Sequence, residues 1–374
     1  MFEIIFDPNN YPFWIIIIAI IAGAIAIISR PFSTYIKFVY PNAKFEAMGN
    51  PFIEEKELSG VLQSKDLSGF KDTLDSLKDY NIKGETTYDV QRSLDDHFIK
   101  TIDMMRKDSS KKMQEFYDVY LEKLDIYLIK RELKRKFSGI SIESSSVNQA
   151  LLPNTKTLLE AMNDVEQEEL PALLKSYGFS KELTNALTEE TIDFLAIDTS
   201  IDTYLIDRFK QITVPYKCEQ GKQTFIKRML DIINIKTLLR AKQLGYDLDS
   251  CKKLFLGEGQ EFASWKFNEL ADVDDVSQVI SGLEGTSYYG VLKDAIEDYT
   301  KEESVQVLEN ALDGLFLKLV KDISIQNYIS IGPTIRFIVS KEFEIQNLKI
   351  VAKGIGENLS SDLIKTFLIT EASA

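Results

Sequence analysis

A fifteen-residue stretch that recurs along the chain constrains the fold more than any other feature. Asp231-Ile232-Ile233-Asn234-Ile235-Lys236-Thr237-Leu238-Leu239-Arg240-Ala241-Lys242-Gln243-Leu244-Gly245 sets apolar residues around most of a helix and closes on basic residues suited to the negative end of its dipole. Gly245 stands where a glycine caps a helix. Asp125-Ile126-Tyr127-Leu128-Ile129-Lys130 opens the same way, and Leu133, Lys136 and Gly139 match Leu239, Lys242 and Gly245, seven identities in fifteen positions. A weaker copy starts at Glu344 and keeps Asn347 and Lys349, with Lys353 in the place of Arg240. The three starts are 106 and 113 residues apart. A second mark tests the register: Leu94-Asp95, Ile201-Asp202 and Leu312-Asp313 each open an apolar helix, 30, 29 and 31 residues before the signature acid. Two marks holding one spacing three times predict a triplicated helical unit.

With 374 residues, each unit has about 110 residues, enough for a small helical core. The fold class expected is all-α: strand alternation is nowhere convincing, and the long segments carry apolar residues at i, i+3, i+4 and i+7. Helices are expected at 54–62, 67–77, 86–108 and 110–137, then near 181–195 and at 201–214 and 224–244. The last group covers 262–270, 273–283, 288–300, 304–320, 333–352 and an amphipathic tail at 359–369. Ser-rich residues 138–147 and the glycines near 257–259 mark boundaries, giving an anchor at 1–32 and units at 33–142, 143–256 and 257–374.

Residues Pro8 to Ser29 contain no charge, and Phe13 to Ile28 is almost all Ile, Ala and aromatic. About 20 such residues match a hydrocarbon core of about 30 Å. Phe13 and Trp14 would sit at one interface and Arg30 just beyond Ile28 at the other. Acids precede the run and bases follow it, so one transmembrane helix is expected, with the N-terminus outside and the body in the cytoplasm. A cleaved signal peptide is disfavoured by the absence of a basic leader and of a small-residue cleavage site before Arg30. A core helix this uniformly apolar at a chain end has nothing obvious to bury it. From Pro31 to Pro51 the pattern is mixed, with Pro41-Asn42 read as a turn or helix boundary.

Few residues suggest chemistry. A net charge of −14 argues against wide nucleic-acid contact. Cys218 and Cys251 are the only cysteines, far apart, which points to a reducing cytoplasmic setting. His97 is the only histidine, so a histidine metal cluster is excluded, and its neighbours suggest an ordinary helix flank. Gly354-Ile355-Gly356 lacks the third glycine of a dinucleotide loop and reads as a helix end. Asp272-Val273-Asp274-Asp275 departs from a calcium loop at positions six and twelve and reads as a solvated helix start. The acidic run at 164–169 has the same reading, with a docking surface for a basic partner as the alternative. The basic cluster Lys130, Arg131, Lys134, Arg135, Lys136 reads as a solvated face, or, beside an anchor, as a surface for anionic headgroups. Asp231 and Asn234 share one helical face among apolar residues. With no paired acid or base in view, each signature acid is expected to hydrogen-bond across its helix pair, with Lys236 or Arg240 as partner. No cofactor, metal or small-molecule substrate is expected.

Asp231, Asn234 and Arg240, in the spacing D-x-x-N-x-x-x-x-x-R, resemble the central unit of the rotary ATPase central-stalk subunit, called C in archaeal A-type ATP synthases and d in V-type ATPases. The ending Glu344-x-x-Asn347-Leu348-Lys349, with Leu359-Ser360 and Ile364, is similar to that family's C-terminal signature, and Asn42-Ala43-Lys44-Phe45-Glu46-Ala47-Met48 to its opening A-R-x-R-A. Lys44 and Glu46 replace the two arginines, so no role of theirs carries over. The resemblance covers about Tyr35 to Leu368. It implies a funnel of three quasi-repeated helical lobes, its narrow end on the proteolipid ring and its mouth around shaft subunits D and F, passing torque without catalysis. An anchor departs from the peripheral family pattern. Two rival readings are a membrane-tethered helical scaffold or chaperone, and a membrane-anchored hydrolase that would lose activity on Asp231→Asn with its fold intact.

Overall fold

The computed structural model describes residues 11–76, 80–189 and 191–371, and these residues are all-α. The expected charges Glu3 and Asp7, and the helix end at Leu77, lie outside them. Seven long helices set the architecture: α1 Tyr11–Met48, α2 Thr87–Asp108, α3 Gln114–Phe137, α4 Phe194–Gln211, α5 Glu219–Gln243, α6 Val305–Gln326 and α7 Gly332–Gly356. Helices α2 to α7 form three consecutive hairpins. The neighbours outside each hairpin are as important as those inside it: α3 packs on α4, α5 on α6, and α7 returns to α2. The six helices thus close a circle, and the short helices between them are added around it.

One aromatic chain links α3 to α6. Phe116, Phe209, Phe225 and Phe316, from α3, α4, α5 and α6, lie with successive ring centroids 6.3, 6.0 and 6.1 Å apart. Phe116, Phe209 and Phe225 are fully buried. Each such side chain contributes about 2–3 kcal/mol by leaving water, and edge-on ring pairs add to that. Glycine permits a close approach where α6 turns into α7: a Cβ on Gly332 would lie 2.7 Å from the Ser324 carbonyl oxygen.

Several boundaries differ from the pattern read in the sequence, and two of them have a visible cause. Helix α4 begins seven residues earlier, at Phe194, because Asp193 caps it by accepting from the amides of Leu195 and Ala196. Helix α1 runs unbroken through Pro31 and Pro41, past the expected turn at Pro41-Asn42. Proline costs about 3 kcal/mol inside a helix. Tertiary contacts on both sides of Pro41 offset it: Phe38 and Phe45 are buried, Phe45 stacks on Phe337 at 5.1 Å, and Asn42 donates to the carbonyls of Tyr328 and Ser330.

The first part of α1 is long and apolar enough to cross a membrane, and its most apolar stretch has no residue buried against the rest of the chain. Phe13 and Trp14 pack edge to face, while Ile28 is exposed. Arg30 lies over the ring of Tyr216 at 4.2 Å, where the helix meets the body.

Candidate functional site

The repeated residues collect where one hairpin meets the next. Each signature helix ends in the same turn. Gly139, Gly245 and Asn358, each fourteen residues after its signature acid, have φ of 73°, 75° and 56°. Their following amides, on Ile140, Tyr246 and Leu359, donate to Arg135, Ala241 and Gly354 carbonyls, each at 2.9 Å. This is one C-terminal motif used three times. Asn358 is hidden in the sequence as the third member because asparagine, the other residue that tolerates this conformation, stands in for glycine.

The signature acids do not bond across their own hairpins, and neither Lys236 nor Arg240 is the partner of Asp231. Asp125 and Asp231 reach instead into the segments that lead to the next group of short helices. Asp125 accepts from the amides of Leu151 and Leu152, both at 2.8 Å. Asp231 accepts from the amides of Gln260, Glu261 and Phe262 at 3.0–3.1 Å, and from the Tyr288 hydroxyl at 2.6 Å. Asn234 pins the same segment through Gly257 and Leu256. In the last helix Glu344 takes the Tyr80 hydroxyl and the Lys341 ammonium, and Asn347 holds Phe52 and Ile369. The physical reason is burial. Asp231 is fully buried, and a carboxylate there needs more donors than one lysine supplies. Burial pushes its carboxyl above the usual carboxylate range, against the pull of the Tyr288 hydroxyl and the three amides.

The signature cations reach forward as well. Lys130 meets Asp202 at 2.5 Å, Lys236 meets Asp313 at 2.6 Å, and Lys349 meets Asp95 at 2.8 Å. These are the equivalent lysines and the equivalent acids of the two marks, joined from each hairpin to the next and from the last back to the first. One turn further along lies a second rung. Lys134 pairs with Asp198 at 2.6 Å and Arg240 with Glu309 at 2.6 Å, each acid four residues before the first-rung acid. At the closing junction that position is Gln91, which donates to the Lys349 carbonyl. Burial raises the carboxyls of Asp95, Asp202 and Asp313, with their lysines acting against it. The basic cluster is therefore not an open headgroup surface: Lys130 and Lys134 are in these rungs, Arg131 bonds Glu132, Arg135 bonds Glu143, and Lys136 bonds the Asn163 carbonyl.

Charge reversal at one rung is predicted to be largely repairable. Lys236→Glu places two acids together and costs about 2 kcal/mol, and adding Asp313→Lys recovers most of it. Urea unfolding of the four chains of that cycle measures the coupling. Additive losses would mean the pair does not hold the junction.

A hollow lies beside the closing rung. Tyr127 of α3 is 57% exposed, yet desolvation and the carboxylates of Glu342, Asp202 and Asp313 hold its phenol well above the ordinary value. Beside it, Lys123 pairs with Glu342 at 2.6 Å. A cavity of about 340 Å³ opens here between α2, α3 and α7, lined by Asp95, Asp125, Tyr127, Arg131, Glu342 and Lys349 among others.

Residues singled out for other chemistry have structural places. His97 stacks on Tyr80 with centroids 4.3 Å apart. Gly354 and Gly356 lie in the last turn of α7, against Ile364 and Thr87. Asp275 caps the helix Val276–Gly282 through the Gln278 amide. Lys44, in the opening motif, pairs with Asp108 at 2.7 Å, and Glu46 accepts from the Tyr328 hydroxyl. Cys218 and Cys251 are buried free thiols, and burial pushes that of Cys218 up to about 12. The arrangement joins each helical hairpin to the next through charge pairs of one register.

The chain is similar to known proteins along most of its length. Residues 41–367 match the family described as "ATP synthase (C/AC39) subunit". The chain is 30% identical over 342 residues to the C subunit of the A-type ATP synthase of Methanothermobacter thermautotrophicus, covering 89% of this chain and 88% of that one. It is 30% identical to the same protein of Methanocaldococcus jannaschii, covering 89% and 86%, and 25% identical to that of Pyrococcus horikoshii, covering 89% and 90%.

Proposed function

Because this chain belongs to the ATP synthase (C/AC39) subunit family, we propose that it is the non-catalytic central-stalk socket of an A-type ATP synthase. In this reading three helical units form a funnel that seats on the proteolipid ring and receives the shaft subunits D and F. Ion flow turns the ring, and the socket passes the rotation to the shaft and so to ATP synthesis, or the reverse.

The cyclic closure of the rungs is the observation that carries the proposal. A torque adaptor must resist shear at every junction between its parts, and here each unit is tied to the next, and the last to the first, by a lysine–aspartate pair of the same register. Junctions that each combine apolar packing with a partly buried charge pair fix geometry better than packing alone.

Helix α1 adds a membrane anchor to this plan. Its apolar half spans the bilayer with the N-terminus outside, and the body sits on the cytoplasmic face. The anchor lies in or beside the central pore of the ring and turns with it.

A mild-detergent pull-down of the tagged full-length chain, with mass spectrometry of what is recovered, tests the assignment. Small, very apolar proteolipids together with shaft and nucleotide-binding subunits are expected. A folded, membrane-bound chain that brings down none of them would instead be a tethered scaffold.

A further inference from the structure

A second cavity, of about 900 Å³, opens between the end of α1, residues 49–55, the hairpin of α6 and α7, and residues 370–371. Its lining includes none of the rung residues. Two helices line it with the same spacing: Lys318, Lys321, Asp322 and Ile325 of α6, and Pro333, Arg336, Phe337 and Ser340 of α7, each stand at i, i+3, i+4 and i+7.

Four donor side chains of this lining have no partner among the described residues. Arg336 and Lys318 are half-buried cations in no ion pair, and Ser324 and Ser340 are each 3% exposed with hydroxyls in no hydrogen bond. Donors held out of water without acceptors cost stability, which an occupant rich in oxygen acceptors would restore. The other charges of the lining are accounted for. Glu371 takes Lys321 at 2.5 Å, Glu55 takes Lys365 at 2.5 Å, and Glu46 accepts from the Tyr328 hydroxyl. Glu54 and Asp322, the remaining acids, are exposed.

We propose that this cavity binds an organic phosphate monoester, held by Arg336, Lys318, Ser324 and Ser340. The donor set selects the anion. A guanidinium fork, an ammonium and two hydroxyls offer more donors than the two oxygens of a carboxylate can take, and they suit the three terminal oxygens of a phosphate ester. The volume selects a ligand with a body, since several hundred Å³ is the space of a small organic molecule and not of a bare ion. Phe45 and Phe337, stacked with centroids 5.1 Å apart, offer that body an apolar wall together with Ile53 and Pro333. The exposed acids select against a polyphosphate, whose further negative charge would meet Glu54 and Asp322. The site is independent of the stalk reading, because every group it uses belongs to this chain.

Equilibrium dialysis of the full-length chain in a maltoside detergent tests the site, with phenyl phosphate as the probe and benzoate and ATP as comparisons. Phenyl phosphate is expected to bind at least about tenfold tighter than either. Arg336→Gln should weaken it at least about tenfold, and Arg336→Lys, which keeps the charge but not the fork, should recover part of the loss. Arg92→Gln, at an exposed position on α2, should change nothing. If the Arg336→Gln chain loses its helical circular dichroism, Ser324→Ala combined with Ser340→Ala carries the same test with the charges intact. Dihexanoyl phosphatidic acid separates the two sources of such an ester. Binding tighter than that of phenyl phosphate names a lipid headgroup, weaker binding a soluble metabolite, and both uphold the site. Three results overturn the proposal: no phosphate retained at millimolar concentrations, benzoate or ATP held as tightly as phenyl phosphate, or unchanged binding by a folded Arg336→Gln chain.

Discussion

Replacing Asp231 with leucine is expected to lower the stability of the folded chain by about 3–5 kcal/mol, a loss at the upper end for a single residue. The carboxylate is fully buried and receives three backbone amides and a tyrosine hydroxyl. Leucine fills a similar volume and accepts nothing, so the amides of Gln260, Glu261 and Phe262 lose their acceptor inside the protein. Each such orphan costs about 1–3 kcal/mol, partly recovered where water reaches the loosened segment. Urea unfolding followed by circular dichroism measures the loss. A change below about 1 kcal/mol would mean that residues 260–262 are held by something else. Gly259 provides an independent check, because a Cβ there would overlap the Asp231 carboxylate, so Gly259→Ala should weaken the same junction.

The second large effect concerns location. Deleting residues 1–29 and expressing the chain without other subunits should move it from the membrane pellet to the soluble fraction. Nine isoleucines lie between Phe13 and Ile28. At about 0.3–0.6 kcal/mol each, their insertion alone amounts to roughly 3–5 kcal/mol, a shift in partition of about 10²- to 10⁴-fold. The remaining helix keeps its buried side chains Thr34, Phe38 and Phe45 on the body, so the shortened chain should fold. Full-length chain washed free by high salt would show that α1 is covered by protein instead of lipid.

The sequence displays this fold unevenly, for reasons that lie in the residues themselves. Helix periodicity and the signature are legible because they are properties of local segments, and the aligned acids and lysines keep one spacing. What a segment cannot display is its partner. Asp231 and Lys236 are five residues apart and read as neighbours in one network, yet the acid serves residues 260–262 and the lysine serves Asp313. The second rung is hidden because Gln91, Asp198 and Glu309 share only a position and not a side-chain type. Pro41 reads as a break because its local cost is fixed, while the contacts of Asn42 and Phe45 that offset it come from residues almost 300 positions away.

The closing junction also dictates an order of assembly. Asn347 holds Phe52, and Lys349 holds Asp95, across 295 and 254 residues of chain. During synthesis the first unit leaves the ribosome long before its partner helix exists, and at about 5–20 residues per second that delay lasts on the order of 10–50 seconds. Through that interval the surfaces of residues 51–53 and α2 that α7 later covers stay open to water. Contacts of such long sequence separation are slow to form and leave apolar surface unprotected meanwhile. The first unit is therefore the part of the nascent chain with the greatest demand for chaperones, and truncation within α7 should harm it more than the second unit, although the second lies nearer the cut.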